Sequence, residues 1–307
     1  MTPLDGMGAP RARAVERITL AEYASFLERT RVQTKSTPSL ASFVRVSTWS
    51  AHPRAVLASF ADARTHRRAL GRLAMFLEDP EHRGRVPQAL PSGARGGVAN
   101  YSGHNARVRS VEEFCEACGG VRNMWAEERA LVDALVTIGA MSIDQSGRAR
   151  ANEEFHRVKG DPGEACVLAV CATTDVREAK EALIHEAMHG LWYVKPAYAR
   201  ACYEYYASDA LSDSERAVWV EFLRELRYAV EDEEVVVNEF QAYMATETQM
   251  FGRDAVHGRG GKKATSANAS AIETLTAMQV KFAVWARNVI DAKDVPFVGG
   301  NAKVVWM

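Results

Sequence analysis

The stretch ACVLAVCATTDVREAKEALIHEAMHGLWY, residues 165–193, predicts a buried strand followed by a long helix. Residues 166–171 are apolar throughout, which is typical of a strand covered on both faces. FHRV at 155–158 and the turn KGDPGE at 159–164 precede this strand and predict a hairpin with it. Asp175 and Glu178 fit a capping box that would start the helix.

The helix contains the pattern H-E-x-x-H at His185, Glu186 and His189. A spacing of four residues places both imidazoles on one helix face, where both can bind one Zn²⁺. Glu186 lies about 100° further round the helix, where it can reach a water bound to that metal. Ionisable groups in so apolar a helix are costly unless something pairs them, so the pattern predicts a metal site.

A catalytic zinc needs a third protein ligand and an open fourth position. The metzincin pattern, which adds Gly and His further along the same helix, is excluded by Trp192 and Lys195. Glu239 is the best candidate because it is the one carboxylate within the apolar run VVVNEFQAYM, residues 235–244. The alternatives are in the preceding acidic run, which is also typical of a solvated helix start: Asp232, Glu233 and Glu234.

H-E-x-x-H followed by N-E-x-x-A on a later helix resembles the gluzincin branch of the zincin metallopeptidases. The matching residues of the second motif are Asn238, Glu239 and Ala242. The resemblance covers about residues 150–250 and implies Zn²⁺ as cofactor, Glu239 as third ligand and a peptide or protein substrate. Thermolysin-like members carry an Asp where this chain has Tyr243, so the resemblance does not extend to that group around the zinc.

A peptidase also needs a donor for the oxyanion that develops during the reaction. Tyr243 is our candidate because it lies one turn beyond Glu239 on the same predicted helix face. Five other side chains could take this role: Tyr193, Tyr205, Tyr206, His257 and His104. Core packing is the better explanation for each of the tyrosines, an ordinary turn explains His104 better, and His257 lies in a Gly-rich loop.

The pattern along the chain predicts an α+β fold that is mostly helical and zincin-like, with a small antiparallel sheet preceding the active-site helix. Residues 1–90 are expected to form an N-terminal helical region. The Gly- and Pro-rich stretch before residue 97 separates it from a catalytic domain over 91–307, which ends in a C-terminal helix near 272–289. Residues 96–111 suggest a short hairpin turning at 103–105, and 213–230 suggests one helix.

The amino-acid composition of the chain argues against several classes of function. The 38 Lys and Arg balance 39 Asp and Glu, so bulk attraction to nucleic acid is not expected. No apolar run approaches the length of a membrane helix, and the N-terminal residues lack the apolar core of a secretory signal. Five cysteines at low density do not indicate a disulfide scaffold. We therefore expect a cytoplasmic protein without a nucleic-acid or membrane partner.

Two further motifs carry less weight. Cys115 and Cys118 form C-x-x-C without a second pair nearby, which favours two cysteines one turn apart on a helix. GRGGKK at 258–263 lacks the spacing of a phosphate-binding P-loop.

The sequence thus predicts a zinc metallopeptidase in which Glu186 is the general base. The alternatives are a non-catalytic helical binding or regulatory protein, with a structural zinc or no metal, and a zinc hydrolase acting on a non-peptide amide. The sequence predicts no oligomeric state.

Overall fold

In the computed structural model, the described residues are 16–25, 44–60, 62–91, 98–99, 101, 103–156, 163–171, 176–246 and 269–290. They form an α+β fold in which helices predominate. The strands are β1 (Arg17–Ile18), β2 (Val44–Trp49), β3 (His52–Phe60), β4 (Gly103–Arg107), β5 (Met141–Ile143), β6 (Ala149–Ala151) and β7 (Cys166–Cys171). The helices are α1 (Ala63–Glu78), α2 (Val108–Ala117), α3 (Ala126–Thr137), α4 (Glu153–His156), α5 (Val176–Val194), α6 (Pro196–Ala207), α7 (Asp213–Glu225), α8 (Glu233–Thr246) and α9 (Ala269–Val289).

The main sheet has the strand order β1-β2-β3-β7-β4, with β4 at one edge. Strands β3 and β7 pair in parallel, with Ala55 opposite Cys166 and Phe60 opposite Cys171. Strands β2 and β3 pair antiparallel, as do β7 and β4, whereas β1 and β2 are parallel. The sheet is therefore mixed, and the prediction of an antiparallel sheet was wrong. The long crossover between β3 and β7 is what allows their parallel pairing.

Helices cover both faces of this sheet. On β7, Leu168 and Val170 face α5 and the helices that follow it, whereas Val167 and Ala169 face α1, α2 and α3. Side chains alternate between the two faces of a strand, so a strand buried on both faces must be apolar at every position. The fully buried strand predicted from residues 166–171 is thus confirmed.

The N-terminal part of the chain is less helical than predicted. Strands β2 and β3 occupy residues 44–60, and β3 pairs with β7, so strands from both sides of residue 90 share one sheet. The division into domains at residue 90 stays a prediction. The alternation of buried and exposed residues that reveals most strands is lost in β3, because seven consecutive residues are buried.

Three local predictions were also wrong. Residues 103–107 form strand β4 rather than a turn, and residues 155 and 156 at the start of the predicted hairpin belong to helix α4. Helix α7 ends at Glu225, and Arg227 then adopts a left-handed conformation with φ of 69°. Asp175 lies outside the described residues, as does the predicted capping box. No helix in the described part of the chain combines the length and apolar character needed to cross a membrane.

Candidate metal centre

Helix α5 presents His185 and His189 from its centre, one turn apart and both buried. Their Nε2 atoms lie 3.1 Å from each other. Both rings point towards α8 because the opposite face of α5 packs on β7, where Gly190 lies against Leu168. A Cβ at position 190 would come within 2.8 Å of a Leu168 methyl group, so glycine allows α5 to lie this close to the sheet.

Helix α8 supplies the carboxylate of Glu239, which is 3 % exposed. Its Oε1 lies 3.6 Å from His189 Nε2, and its Oε2 lies 3.7 Å from His185 Nε2. Oε2 is buried and accepts no hydrogen bond. An unsatisfied carboxylate oxygen in the interior is costly, so its position beside two imidazole nitrogens suits a cation between them.

The spacing of the three ligand atoms fits a zinc ion. Tetrahedral bonds of about 2.0–2.1 Å place ligand atoms about 3.3–3.4 Å apart. The observed separations, from 3.1 to 3.7 Å, bracket that value. Among the residues that the structure describes, these three form the one fully buried group of His, Cys, Asp or Glu able to share a metal.

Burial perturbs the titration of these groups. It lowers the pKa of His189 to about 4, an effect that the Glu239 carboxylate opposes and the His185 ring reinforces. It raises the pKa of Glu239, while His189 and a hydrogen bond from Tyr228 oppose that shift. A neutral imidazole is the form that binds a metal, and a divalent cation would favour the ionised carboxylate.

Hydrogen bonds set the tautomers of both histidines. Asn238 Oδ1 lies 2.9 Å from His189 Nδ1, so that nitrogen carries the proton and Nε2 keeps its lone pair for a metal. Thr246 donates its hydroxyl to the Ala242 carbonyl at 2.7 Å, which leaves its oxygen to face His185 Nδ1 at 3.5 Å. Partners of this kind orient metal-binding imidazoles in proteins.

Glu186 lies beside the ligand group and is held by strand β4. Its Oε2 accepts a hydrogen bond from Asn105 Nδ2 at 3.0 Å. Its other oxygen lies against Gly103, where an added Cβ would come within 2.9 Å of the carboxyl carbon. Only glycine at position 103 leaves room for this carboxylate, and the edge strand therefore fixes where Glu186 can point.

These groups surround a cavity of about 30 Å³, enough for one or two water molecules. Its lining is polar, with carboxylates, imidazoles, phenols and one amide: Glu78, Tyr101, Gly103, His104, Asn105, His185, Glu186, His189, Tyr228, Glu239 and Tyr243. No Lys or Arg is among these described residues. A cavity with several carboxylates and no side-chain cation suits a bound metal ion.

Sequence reasoning missed Glu78, Tyr101, Asn105 and Tyr228. Burial raises the pKa of Glu78 well above its usual value, with the Glu239 and Glu186 carboxylates adding to the shift. Helix α7 ends at Glu225 and the chain then turns at Arg227, within a segment that the sequence predicts as helix. This turn brings Tyr228 to the cavity. These residues come from distant parts of the chain, and no local pattern could have identified them.

The predicted oxyanion donors have different outcomes. Tyr243 lines the cavity, and its ring centre lies 4.8 Å from that of His185. His104 also lines it, but its ring nitrogens face His66 at 3.3 Å and the Val98 carbonyl at 3.1 Å. Tyr205 and Tyr206 pack against Phe240 away from the cavity. Tyr193 donates its hydroxyl to Asn105 Oδ1, and His257 lies outside the described residues.

The competing ligand candidates lie elsewhere. Asp232 accepts a hydrogen bond from the Glu234 backbone at the start of α8 and pairs with Arg83. Glu234 pairs with Arg107, and Glu233 is exposed. None of the three lines the cavity, so the geometry favours Glu239 as third ligand.

Two other groups of possible metal ligands are not candidate metal sites. Asp79, Glu81 and His82 lie together, but Arg227 pairs with both carboxylates, at 3.7 and 3.0 Å. Cys115 and Cys118 lie at the end of α2, and burial raises the pKa of Cys118 to about 11. The two thiols belong to no group of three possible metal ligands among the described residues.

Comparison with known proteins gave no match. No protein-family model, no curated protein and no solved structure is significantly similar to this chain.

Proposed function

We propose that this chain is a zinc-dependent peptidase. The observation that carries the proposal is the convergence of two imidazole nitrogens and an unpaired carboxylate oxygen in a buried cavity, next to a further carboxylate, Glu186. A structural zinc would need a fourth protein ligand. The described residues offer three within reach of one ion, which favours a site with an open position.

The proposed roles follow from the contacts. His185, His189 and Glu239 would hold the ion, which when bound supplies a Lewis acid that polarises the scissile carbonyl and acidifies an attacking water. Glu186 would take the proton of that water and pass it to the leaving amine. The hydrogen bond from Asn105 holds one oxygen of Glu186 and leaves the other facing Gly103 at the cavity.

Strand β4 is the candidate binding edge for the substrate. Strand β7 lies between β3 and β4 and has no free edge for a substrate. Strand β4 ends the sheet and carries Gly103 and Asn105 beside Glu186. An extended peptide could add to this edge through its backbone and bring a peptide bond to the cavity.

Tyr243 remains our candidate for the oxyanion donor, with Tyr101 and Tyr228 lining the same cavity. A phenol can donate to a developing negative charge if it lies near the reacting carbonyl. Replacing each in turn with Phe would identify the donor. If Tyr243 is the donor, Tyr243→Phe should cause the largest fall in kcat among the three variants.

The test of the function combines metal content with turnover. We expect about one zinc per purified chain, and loss of zinc from His185→Ala and His189→Ala because two remaining ligands hold the ion poorly. Glu186→Gln keeps the shape of the side chain but cannot accept a proton. It should retain zinc and lose at least about 10²-fold in kcat on a peptide that the wild type cleaves.

Either of two results would contradict the proposal. If both histidine variants kept the zinc content of the wild type, the proposed metal site would be wrong. If Glu186→Gln kept the turnover of the wild type, the proposed role of Glu186 as general base would be wrong.

A further inference from the structure

A chain of hydrogen bonds joins the candidate base to a candidate metal ligand. Glu186 Oε2 accepts from Asn105 Nδ2 at 3.0 Å, and Asn105 Oδ1 accepts from the Tyr193 hydroxyl at 2.6 Å. The Tyr193 oxygen accepts from Asn238 Nδ2 at 3.4 Å, and Asn238 Oδ1 faces His189 Nδ1 at 2.9 Å.

The direction of each bond is fixed from the Glu186 end. An ionised carboxylate can only accept, so the amide nitrogen of Asn105 must face Glu186. The Asn105 oxygen then faces Tyr193, whose hydroxyl must donate. The Tyr193 oxygen is left to accept from the Asn238 amide nitrogen, which turns the Asn238 oxygen towards His189. That arrangement places the proton on His189 Nδ1 and the lone pair on Nε2, where a metal would bind.

The surroundings hold Tyr193 in place. The guanidinium of Arg107 lies over its ring, 4.6 Å from the ring centre. Arg107 is itself paired with Glu164, at 2.5 Å, and with Glu234. Asn238 is held in turn by Gln241, whose Nε2 donates to Asn238 Oδ1 at 3.1 Å. Tyr193 is 8 % and Asn238 is 7 % exposed, so little water competes for these bonds.

We infer that Tyr193 is a positioning residue that orients Glu186 through Asn105 and His189 through Asn238. This inference rests on the proposed function. It also changes the role considered for Tyr193 from the sequence: the single proton of its hydroxyl is used by Asn105, so the residue is not placed to donate to an oxyanion.

The variant Tyr193→Phe tests the inference because it removes the hydroxyl and keeps the ring beneath Arg107. We expect zinc affinity to fall about tenfold, the lower end for loss of a partner behind a ligand. We also expect kcat to fall at least about tenfold with KM little changed, because Glu186 loses its orientation. Tyr205→Phe is the matched control: it removes a buried hydroxyl that has no hydrogen-bond partner, and neither quantity should change.

A double variant separates positioning from general loss of packing. With zinc at saturating concentration, Tyr193→Phe should add no further loss of kcat in an Asn105→Ala background if Tyr193 acts on Glu186 only through Asn105. If the losses in kcat of the two single variants multiply in the double variant, the connection through Asn105 is wrong. Asn105→Ala also serves as the second variant if Tyr193→Phe folds poorly, which circular dichroism of the apo protein would reveal.

Zinc affinity, measured by competition with a chromophoric chelator, keeps this test independent of the proposed function. If the wild type cleaves no peptide while Tyr193→Phe weakens zinc binding, the peptidase proposal fails and the positioning of His189 stands. If zinc affinity in Tyr193→Phe equals that of the Tyr205→Phe control, the inference fails whatever the wild type hydrolyses.

Discussion

The Glu239 side chain has a buried oxygen without a hydrogen bond, beside two imidazole nitrogens, and this arrangement favours a metal ligand over a structural carboxylate. A carboxylate retained for packing or an ion pair normally has its lone pairs satisfied. Glu239 Oε2 instead faces His185 Nε2 at 3.7 Å, at about the distance that a shared ion requires. Removing such a group should cost the fold little without metal and cost metal binding heavily.

Glu239→Ala tests this difference. We expect the metal-free variant to unfold at about the wild-type temperature or slightly above it, because an unsatisfied buried carboxylate is lost. Zinc at about 1,000 times its Kd should stabilise the wild type by about 4 kcal/mol and the variant far less. Thermal unfolding of both proteins, each with zinc and with chelator, measures both effects.

Glu233→Ala is the matched control for that comparison. Glu233 belongs to the same helix but is exposed and does not line the cavity, so its loss should leave the stabilisation by zinc intact. An equal gain from zinc in wild type and Glu239→Ala would show that Glu239 is not a ligand.

Strand β4 contributes to the site, although the sequence of its five residues gives no sign of this role. Its Gly103 and Asn105 face α5 and bound the Glu186 carboxylate, whereas His104 and Ala106 face α1 and α2. Alternation along the strand therefore places Gly103 and Asn105 against Glu186, and His104 and Ala106 against the opposite layer, although His104 also borders the cavity. The strand is also at the sheet edge, next to where a substrate would have to lie.

Gly103→Ala should reduce turnover without removing metal. The new Cβ would overlap the Glu186 carboxyl group, which would have to move by about 1 Å, and a misplacement of that size can cost about 10²-fold in rate. The ligand atoms of α5 and α8 lie outside this contact, so zinc content should stay at the wild-type level. Measurement of kcat and zinc content on the same preparation checks both. Unaltered kcat would mean that the position of Glu186 does not limit the reaction.

The elements could be predicted from sequence where their signals are local. The periodicity of α1, α5, α6 and α8 was visible because apolar residues recur once per turn, and H-E-x-x-H lies within a single helix. The parallel pairing of β3 with β7 was not visible, since register between distant strands leaves no local trace. Asn105 and Tyr228 were missed for the same reason: each is ordinary in its own segment and becomes part of the site only through the fold.

At the scale of the whole molecule, the candidate centre lies where three layers meet. Helix α5 lies on one face of the sheet and α8 packs on α5, so both ligand-bearing helices belong to one layer. The cavity also takes Glu78 from α1 and His104 from β4. His104 contacts His66 of α1, which lies between the sheet and the opposite helical layer. Buried imidazoles thus lie on both sides of the sheet.

These buried imidazoles predict a pH dependence of stability. Burial lowers the pKa of His104 to about 4, although its bond to the Val98 carbonyl opposes the shift. Burial also lowers the pKa of His66 well below its usual value, and the neighbouring His104 adds to that shift. In the unfolded chain a histidine titrates near 6.5. Between about pH 4 and 6.5 the unfolded state therefore binds a proton that folded His104 does not. Its contribution is complete above pH 6.5 and is lost as the pH falls to about 4, by about 3 kcal/mol.

The comparison of wild type with His104→Gln reports the contribution of His104 together with its effect on His66, whose pKa it lowers. The raised pKa values of Glu78 and Glu239 act in the opposite direction, because the folded state then keeps protons that the unfolded state releases as the pH rises above 4.5. Both carboxyls are present in the two proteins and largely cancel in the difference. Urea unfolding of the metal-free proteins from pH 7 to pH 4.5 should show a steeper loss of stability in the wild type than in His104→Gln. Parallel curves would show that His104 titrates normally and is not buried as a neutral ring.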